Sequence, residues 1–186
     1  MNVQPNLRMD KAAFIEWSAI EEERYELVNG RVVMMPRPAR AHAMIVMNLA
    51  MRLRSSLDQR EWVVVAEFGL DAGPETLRYP DVVVDRAGGG PKDYTATSPV
   101  LLAEVLSPSS VETDLGDKAA EYLRIPSLLA YLVLSQDEPK AWVWIRGDET
   151  FPAGPEVVTG DDAAIRIARL KLELPLAELY AGLATR

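Results

Sequence analysis

The sequence contains no cysteine and a single histidine, at position 42. Without cysteine, disulfides and thiolate metal sites are excluded, which fits a cytoplasmic location. Long apolar runs are also missing, because the longest, residues 128–134, is far too short to span a membrane. The N-terminal residues contain no apolar stretch of the kind found in secretory signals. We therefore expect a cytoplasmic protein without a membrane partner.

Positive charge is scarce and unevenly distributed. The chain has 20 lysine and arginine residues against 28 acidic residues, and its net charge of −8 argues against non-specific coating of nucleic acid. Residues 31–60 nevertheless carry six arginines and one acid. Within this basic segment, Arg37, Arg40 and Arg52 could bind the phosphates of a nucleic acid. Alternatively, these arginines simply solvate one face of a helix.

The length of 186 residues and the hydrophobic fraction of 48% suit one globular domain over residues 1–186. Apolar periodicity predicts helices at residues 11–17, 39–57 and 114–124, and a final helix from residue 175. Strands are predicted at residues 62–68, 77–84, 100–107, 128–134 and 141–145, more weakly at 156–159 and 165–167, and as a hairpin at 25–35. This order predicts an α/β (α+β) fold with a mixed β-sheet flanked by helices.

Two of the predicted strands each contain one carboxylate. Asp81 lies in the strand at 77–84 and Glu104 in the strand at 100–107. A buried, unpaired carboxylate costs several kcal/mol or gives up its charge. One explanation is that both acids hold the same divalent cation, since Mg²⁺ and Mn²⁺ prefer oxygen ligands. The alternative is that each acid pairs separately with an arginine or caps a loop.

Two helical side chains are further candidates. His42 lies one turn before Val46 on the apolar stripe of the helix at 39–57, so it should point inward. A single histidine in such a position is more often a satisfied core residue than a ligand. Lys118 shares one helix face with Asp114 and Tyr122 at four-residue spacing. It could reach the two acids, or form only a surface salt bridge with Asp114.

Pro80-Asp81, followed by Glu104 in the next major strand, has the form of a PD-(D/E)xK nuclease site. In that pattern a lysine follows the glutamate by two residues, but position 106 is leucine. Lys118 on the following helix could be a migrated lysine that reaches the same site. Close to two carboxylates it should stay protonated, which favours an electrostatic role over that of a general base.

Several motifs occur in an order that extends the similarity over nearly the whole chain. They are Tyr25-Glu26-Leu27-Val28-Asn29-Gly30, Ala41-His42 with Asn48-Leu49-Ala50, Tyr79-Pro80-Asp81-Val82-Val83-Val84, Glu104-Val105-Leu106-Ser107-Pro108-Ser109, and Asp117-Lys118 through Tyr122 to Ile125-Pro126-Ser127-Leu128. With these motifs the sequence resembles the Uma-two (Uma2) family of restriction-endonuclease-like proteins. One departure is Ala130, where relatives tend to have an acid.

The resemblance implies a restriction-endonuclease-like core and metal-dependent hydrolysis of phosphodiester bonds, with DNA as the expected substrate. Asp81 and Glu104 would bind Mg²⁺ or Mn²⁺ with a contribution from Glu26, and Lys118 and His42 would complete the catalytic set. The metal would generate hydroxide from bound water and neutralise charge on the phosphate. Cutting both strands of a duplex usually needs two active sites, so a homodimer is expected.

Two other functions remain open from the residues alone. One is a nuclease-like fold that binds nucleic acid or a protein without cutting, which would tolerate Asp81, Glu104 or Lys118 facing outward. The other is a metallohydrolase for a small phosphoester, which would have a closed pocket instead of an open groove flanked by arginines. An endonuclease requires the three charged side chains to converge.

Overall fold

The computed structural model describes residues 3–106 and 113–183, in which strands alternate with a few helices. In chain order the elements are β1 (Val3–Arg8), α1 (Lys11–Ser18), β2 (Tyr25–Val28), β3 (Arg31–Met34), α2 (Arg40–Ser56), β4 (Trp62–Ala66), β5 (Leu70–Gly73), β6 (Thr76–Arg78), β7 (Val82–Arg86), β8 (Leu101–Val105), α3 (Lys118–Tyr122), β9 (Ala130–Leu134), β10 (Lys140–Ile145), β11 (Glu156–Thr159), β12 (Ala164–Ile167), β13 (Leu172–Pro175) and α4 (Leu176–Leu179). A π-helical turn, Thr113–Asp117, leads into α3.

The central sheet has six strands in the order β11-β10-β9-β8-β7-β4. Strands β8 and β9 are parallel and are joined through α3, whereas their other neighbours in this sheet are antiparallel. A second sheet has the order β1-β3-β2-β6-β5, and β12 pairs with β13. The predicted mixed sheet flanked by helices is therefore confirmed.

Both faces of the central sheet are covered, since β8 and β9 are buried along their whole length and are apolar except for Glu104. On one face, α2 packs Ile45, Leu49 and Leu53 against the sheet, and α4 and the β12–β13 pair complete that layer. On the other face, Tyr122 of α3 packs edge-on against Tyr131 of β9. The apolar stripe predicted for the long helix therefore lies on the sheet.

The strand predicted at residues 77–84 is wrong as a single element. Strand β6 ends at Arg78 in the second sheet, and β7 begins at Val82 in the central sheet. Pro80 lies between them and has no N–H to donate to a ladder, which favours a break at this point. The break lets the chain leave the second sheet after Arg78 and enter the central sheet at Val82, directly after Asp81.

Other local predictions differ in their outcome. The hairpin at 25–35 is confirmed, with Asn29 and Gly30 both at positive φ. Strands β1, β5 and β13 were not predicted, and the final helix is confined to four residues. Residue 107, the predicted end of the strand at 100–107, lies outside the described residues, and the single domain stays a prediction. In the described chain, no helix has the length and apolar character needed to cross a membrane.

Candidate active site

A cavity of about 240 Å³ lies between the N-terminal end of α2 and the π-helical turn that leads into α3. Four of the five predicted catalytic residues line it, namely His42, Asp81, Glu104 and Lys118. Antiparallel pairing of β7 with β8 aligns Val82 with Ala103, so Asp81 and Glu104 meet at the same end of the two strands. The sheet register therefore brings the two acids together.

Asp81 is buried and held in a fixed orientation. Its Oδ2 accepts a 2.7 Å hydrogen bond from the backbone N–H of Val105 and lies 3.1 Å from Nε2 of His42. No residue in the described ranges donates a hydrogen bond to Oδ1 of Asp81. One carboxylate oxygen is thus occupied by protein contacts, and the other is available to a ligand.

Glu104 is buried on the same cavity wall. Its Oε1 accepts hydrogen bonds from Nζ of Lys118 at 2.9 Å and from the hydroxyl of Tyr122 at 3.0 Å. Burial raises the pKa of Glu104 well above its usual range, Lys118 partly offsets this rise, and neighbouring acids including Asp114 add to it. Like Asp81, Glu104 has one oxygen, Oε2, to which no described residue donates.

Lys118 lies among three carboxylates. Its Nζ is 2.9 Å from Glu104, 3.1 Å from Asp114 and 3.7 Å from Glu26. Burial alone would lower the pKa of Lys118, but the three carboxylates outweigh burial and raise it, so the side chain stays an ammonium. The pair with Asp114 does form, yet its side chains are only 8% and 2% exposed, so it is not a surface salt bridge.

Glu26 lies behind Lys118 and does not line the cavity. Its Oε2 accepts a 3.0 Å hydrogen bond from Nη1 of Arg78, and its Oε1 accepts one from the backbone N–H of Tyr79 at 3.2 Å. Because both oxygens are engaged by protein donors, this geometry favours a role in holding Lys118 over the predicted role as a metal ligand.

His42 points inward, as its place on the helix stripe predicts, and its side chain is 13% exposed. Its Nε2 contacts Asp81, so it is more than a packing residue. Its buried Nδ1 has no hydrogen-bond partner in the part of the chain that the structure describes. Buried polar atoms are normally satisfied, so a buried nitrogen without a described partner is unusual for a core histidine.

One of the three predicted phosphate-binding arginines lines the cavity. This is Arg37, which pairs with Glu23 at 2.7 Å, whereas exposed Arg40, the first residue of α2, is not part of the wall. Arg52 does not line the cavity either, and its side chain donates to the carbonyl of Glu173 and approaches Glu178. A phosphate-binding groove flanked by Arg37, Arg40 and Arg52 stays a prediction.

Sequence reasoning missed two groups of residues. Arg24 and Gln136 line the cavity, and Arg24 pairs with Glu67 at 2.6 Å. Behind the cavity, Arg78 is buried and binds both carboxylate oxygens of Glu121 at 2.8 Å. The position of Arg78 directly before Tyr79-Pro80 was a possible signal, because an arginine is rarely tolerated at the end of a buried run without a partner.

The donor set fits a divalent cation bound by few protein ligands. Across residues 3–106 and 113–183, no three histidine or acidic side chains converge as a ready-made metal centre. Mg²⁺, however, commonly uses one or two protein carboxylates and completes its shell with waters and phosphate oxygens. Asp81 and Glu104 could supply these two carboxylates. Each lines the cavity and has one oxygen to which no described residue donates a hydrogen bond.

Similarity to known proteins identifies the fold and the family. A solved structure from Anabaena variabilis, described as a "putative nuclease belonging to DUF820", matches with a TM-score of 0.71 at 20% identity over 87% of this chain and 92% of that one. The model of the Uma2 family, described as "Putative restriction endonuclease", matches residues 12–176. The chain belongs to the Uma2 family. The restriction-endonuclease-like fold and the family resemblance are confirmed.

Two curated relatives come from Synechocystis sp. (strain ATCC 27184 / PCC 6803 / Kazusa). The uncharacterized protein sll1609 is 29% identical over 132 residues, covering 67% of this chain and 73% of the relative. The uncharacterized protein slr1290 is 24% identical over 192 residues, covering 97% and 95%. The similarity thus extends over the elements that build the cavity of this Uma2 protein.

Proposed function

We propose that this Uma2 protein is a metal-dependent endonuclease that hydrolyses phosphodiester bonds in DNA with Mg²⁺ or Mn²⁺. The observation that carries the proposal is the convergence of Asp81, Glu104 and Lys118 on one cavity. Buried charged groups gathered in a cleft are costly to fold and are typical of functional sites. The descriptions of the family and of the Anabaena structure support the same class of reaction.

Asp81 and Glu104 would hold the metal. When bound, the metal would lower the pKa of a coordinated water and neutralise negative charge on the phosphate. The chain itself supplies orientation. The N–H of Val105 fixes Asp81, and Lys118 and Tyr122 fix Glu104. Carboxylates held in this way need little rearrangement to bind a ligand.

Lys118 would act electrostatically. Its ammonium is surrounded by carboxylates that keep it protonated, so it has no free electron pair with which to accept a proton. A fixed positive charge beside Glu104 would stabilise the negative charge that develops on the phosphate, or orient the attacking water. This assignment agrees with the migrated-lysine interpretation of the PD-(D/E)xK pattern.

His42 and two arginines would handle the substrate. His42 lines the cavity and would orient a water or a phosphate oxygen beside Asp81, which its Nε2 contacts. Arg24 and Arg37 line the same cavity and would contact phosphates that flank the scissile bond. A homodimer with two such sites remains part of the proposal, because it would let the protein cut both strands of a duplex.

Mn²⁺ binding measured by electron paramagnetic resonance tests the proposal without a known target sequence. We expect the wild type to reduce the signal of free Mn²⁺ and Asp81→Asn to lose most of this binding. Asp85→Asn is the matched control, because Asp85 is also buried but lies within β7 and accepts hydrogen bonds from the backbone N–H groups of Thr97 and Ser98. Equal Mn²⁺ binding by wild type and Asp81→Asn would falsify the metal site.

The alternative is a nuclease fold that binds nucleic acid or a protein without cutting it. The observation in its favour is that Lys118 already neutralises part of the acidic cluster by direct contact with Glu104 and Asp114. On this alternative the wild type binds no Mn²⁺, and Asp81→Asn changes neither metal binding nor association with DNA. The same titration therefore separates the two functions.

A further inference from the structure

Arg78 is a buried cation outside the cavity that the proposed reaction does not use directly. Its side chain is 2% exposed, and all three of its nitrogen donors are engaged. Nε and Nη2 donate to the two oxygens of Glu121 at 2.8 Å each, and Nη1 donates to Glu26 at 3.0 Å. The guanidinium thus bridges a residue of β2 and a residue of α3.

Both partners of Arg78 lead to Lys118. Glu26 approaches Nζ of Lys118 at 3.7 Å, so Arg78 determines where this carboxylate lies. Glu121 belongs to the same helix as Lys118, three residues further along. A bidentate arginine–carboxylate pair has a well-defined geometry, so it limits the rotation and translation of α3.

Helix α3 needs such a contact because it is short. It contains five residues after a π-helical turn, and a helix of this length has little stability of its own. Its position must therefore come from tertiary contacts. Tyr122 supplies one through Glu104, and Glu121 supplies another through Arg78.

We infer that Arg78 is a positioning residue, whose guanidinium holds Glu26 and Glu121 so that the ammonium of Lys118 is fixed beside Glu104. The assignment deepens the proposed nuclease site and rests on it for its catalytic meaning. The position of the Lys118 ammonium depends only on side chains of this protein. It can therefore be measured without metal, substrate or cleavage.

The test follows the ammonium group of Lys118 by ¹H–¹⁵N nuclear magnetic resonance on the full-length, metal-free protein. A buried ammonium that donates to Glu104 should exchange its protons slowly and give a signal, assigned by its absence in Lys118→Arg. Glu121→Gln weakens the pair with Arg78, and because the Glu121 side chain is partly exposed the variant should still fold. We expect it to shift or broaden the Lys118 signal while its backbone amide spectrum remains that of a folded protein. Arg78→Lys, which keeps a charge but not the bidentate geometry, should abolish the signal.

Glu173→Gln is the matched control, because it removes the carboxylate of an exposed arginine–glutamate pair with Arg166. The Lys118 signal should be unchanged in this variant. An unchanged signal in folded Glu121→Gln would overturn the inference, as would the absence of a slowly exchanging ammonium in the wild type. If Arg78→Lys does not fold, Glu121→Gln alone decides.

A cleavage assay adds a second readout that separates this inference from the proposed function. If the wild type cleaves DNA, Glu121→Gln should lower kcat and leave KM unchanged, because it displaces Lys118 without altering the contacts at the cavity mouth. If the wild type neither cleaves DNA nor binds Mn²⁺, the nuclease proposal fails, but the ammonium signal still tests the role of Arg78. Cleavage with an unchanged kcat in Glu121→Gln contradicts the inference and leaves the nuclease proposal standing.

Discussion

The backbone N–H of Val105 donates a 2.7 Å hydrogen bond to Oδ2 of Asp81, which ties the start of β7 to the residue that follows Glu104. Asp81 directly precedes β7, and its side chain, not its backbone, makes this contact with Val105. A carboxylate held by a backbone donor has a fixed direction. The hydrogen bond therefore sets the relative position of the two acids from which the metal site is proposed.

Replacing Lys118 by methionine should destabilise the protein strongly. The change leaves Glu104 and Asp114 buried without their shared cation, and removing one partner of a buried ion pair costs about 3–5 kcal/mol. Urea denaturation at neutral pH should measure this loss. Because protonation of Glu104 relieves the cost, the loss should shrink at acidic pH. A loss that does not depend on pH would mean that packing, not charge, accounts for it.

Replacing Glu104 by glutamine should change how stability depends on pH. The pKa of Glu104 in the folded protein is raised above its usual value of 4.5, so the folded state retains a proton that the unfolded state loses. The stability from this group is present below pH 4.5 and is lost as the pH rises through the folded pKa. Because glutamine does not titrate, Glu104→Gln does not lose this stability as the pH rises.

The melting temperature of Glu104→Gln minus that of the wild type should therefore increase as the pH rises from about 4.5 toward neutrality. Glutamine keeps an acceptor for Tyr122, so that hydrogen bond survives. Melting curves at a series of pH values provide the measurement. A difference that stays constant with pH would indicate that the proton on Glu104 does not influence folding.

Replacing His42 by alanine should weaken metal binding without preventing it. Since Nε2 contacts Asp81 from outside the proposed metal shell, the expected loss of Mn²⁺ affinity is about 10–100-fold, typical for residues that orient a ligand. Met51→Ala on the exposed face of the same helix is the control. If His42→Ala binds Mn²⁺ as tightly as the wild type, His42 is a core residue only.

Replacing Arg37 by alanine should weaken DNA binding in a way that depends on salt but not on sequence. If Arg37 contacts one phosphate, the slope of log affinity against log salt should fall by about 1. Arg54→Ala is the control, because Arg54 is exposed near the far end of α2 and outside the cavity wall. Equal slopes for the two variants would place the DNA elsewhere.

Much of the site was predictable because its signals are local. Asp81 and Glu104 each interrupt an apolar run, and a carboxylate in such a setting needs a partner wherever the chain folds. His42 follows from the helical period, which directs it inward. The assignment of Glu26 depended on similarity to a family, and the structure puts it behind the cavity with Arg78 instead of on its wall.

The arginines were harder to predict, for a physical reason. Arg37 and Arg52 belong to the same basic segment, and both have long side chains that reach many possible partners. Arg37 meets the cavity because Pro36 and Pro38 carry the chain along its wall. Arg52 instead contacts Glu173 and Glu178, which are more than a hundred residues away in the chain. No short-range pattern encodes that choice.

The sequence by itself determined which segments are buried, where the hairpin at Asn29-Gly30 turns, and which apolar runs contain an acid. These properties depend on side-chain period and backbone preference over a few residues. Only the tertiary structure decided that Lys118 contacts Glu104 within an acidic cluster and that Arg78 holds that cluster from behind. The reason is that ion-pair partners are selected by the packing of β2, β6, β8 and α3, which brings distant parts of the chain within a few ångströms.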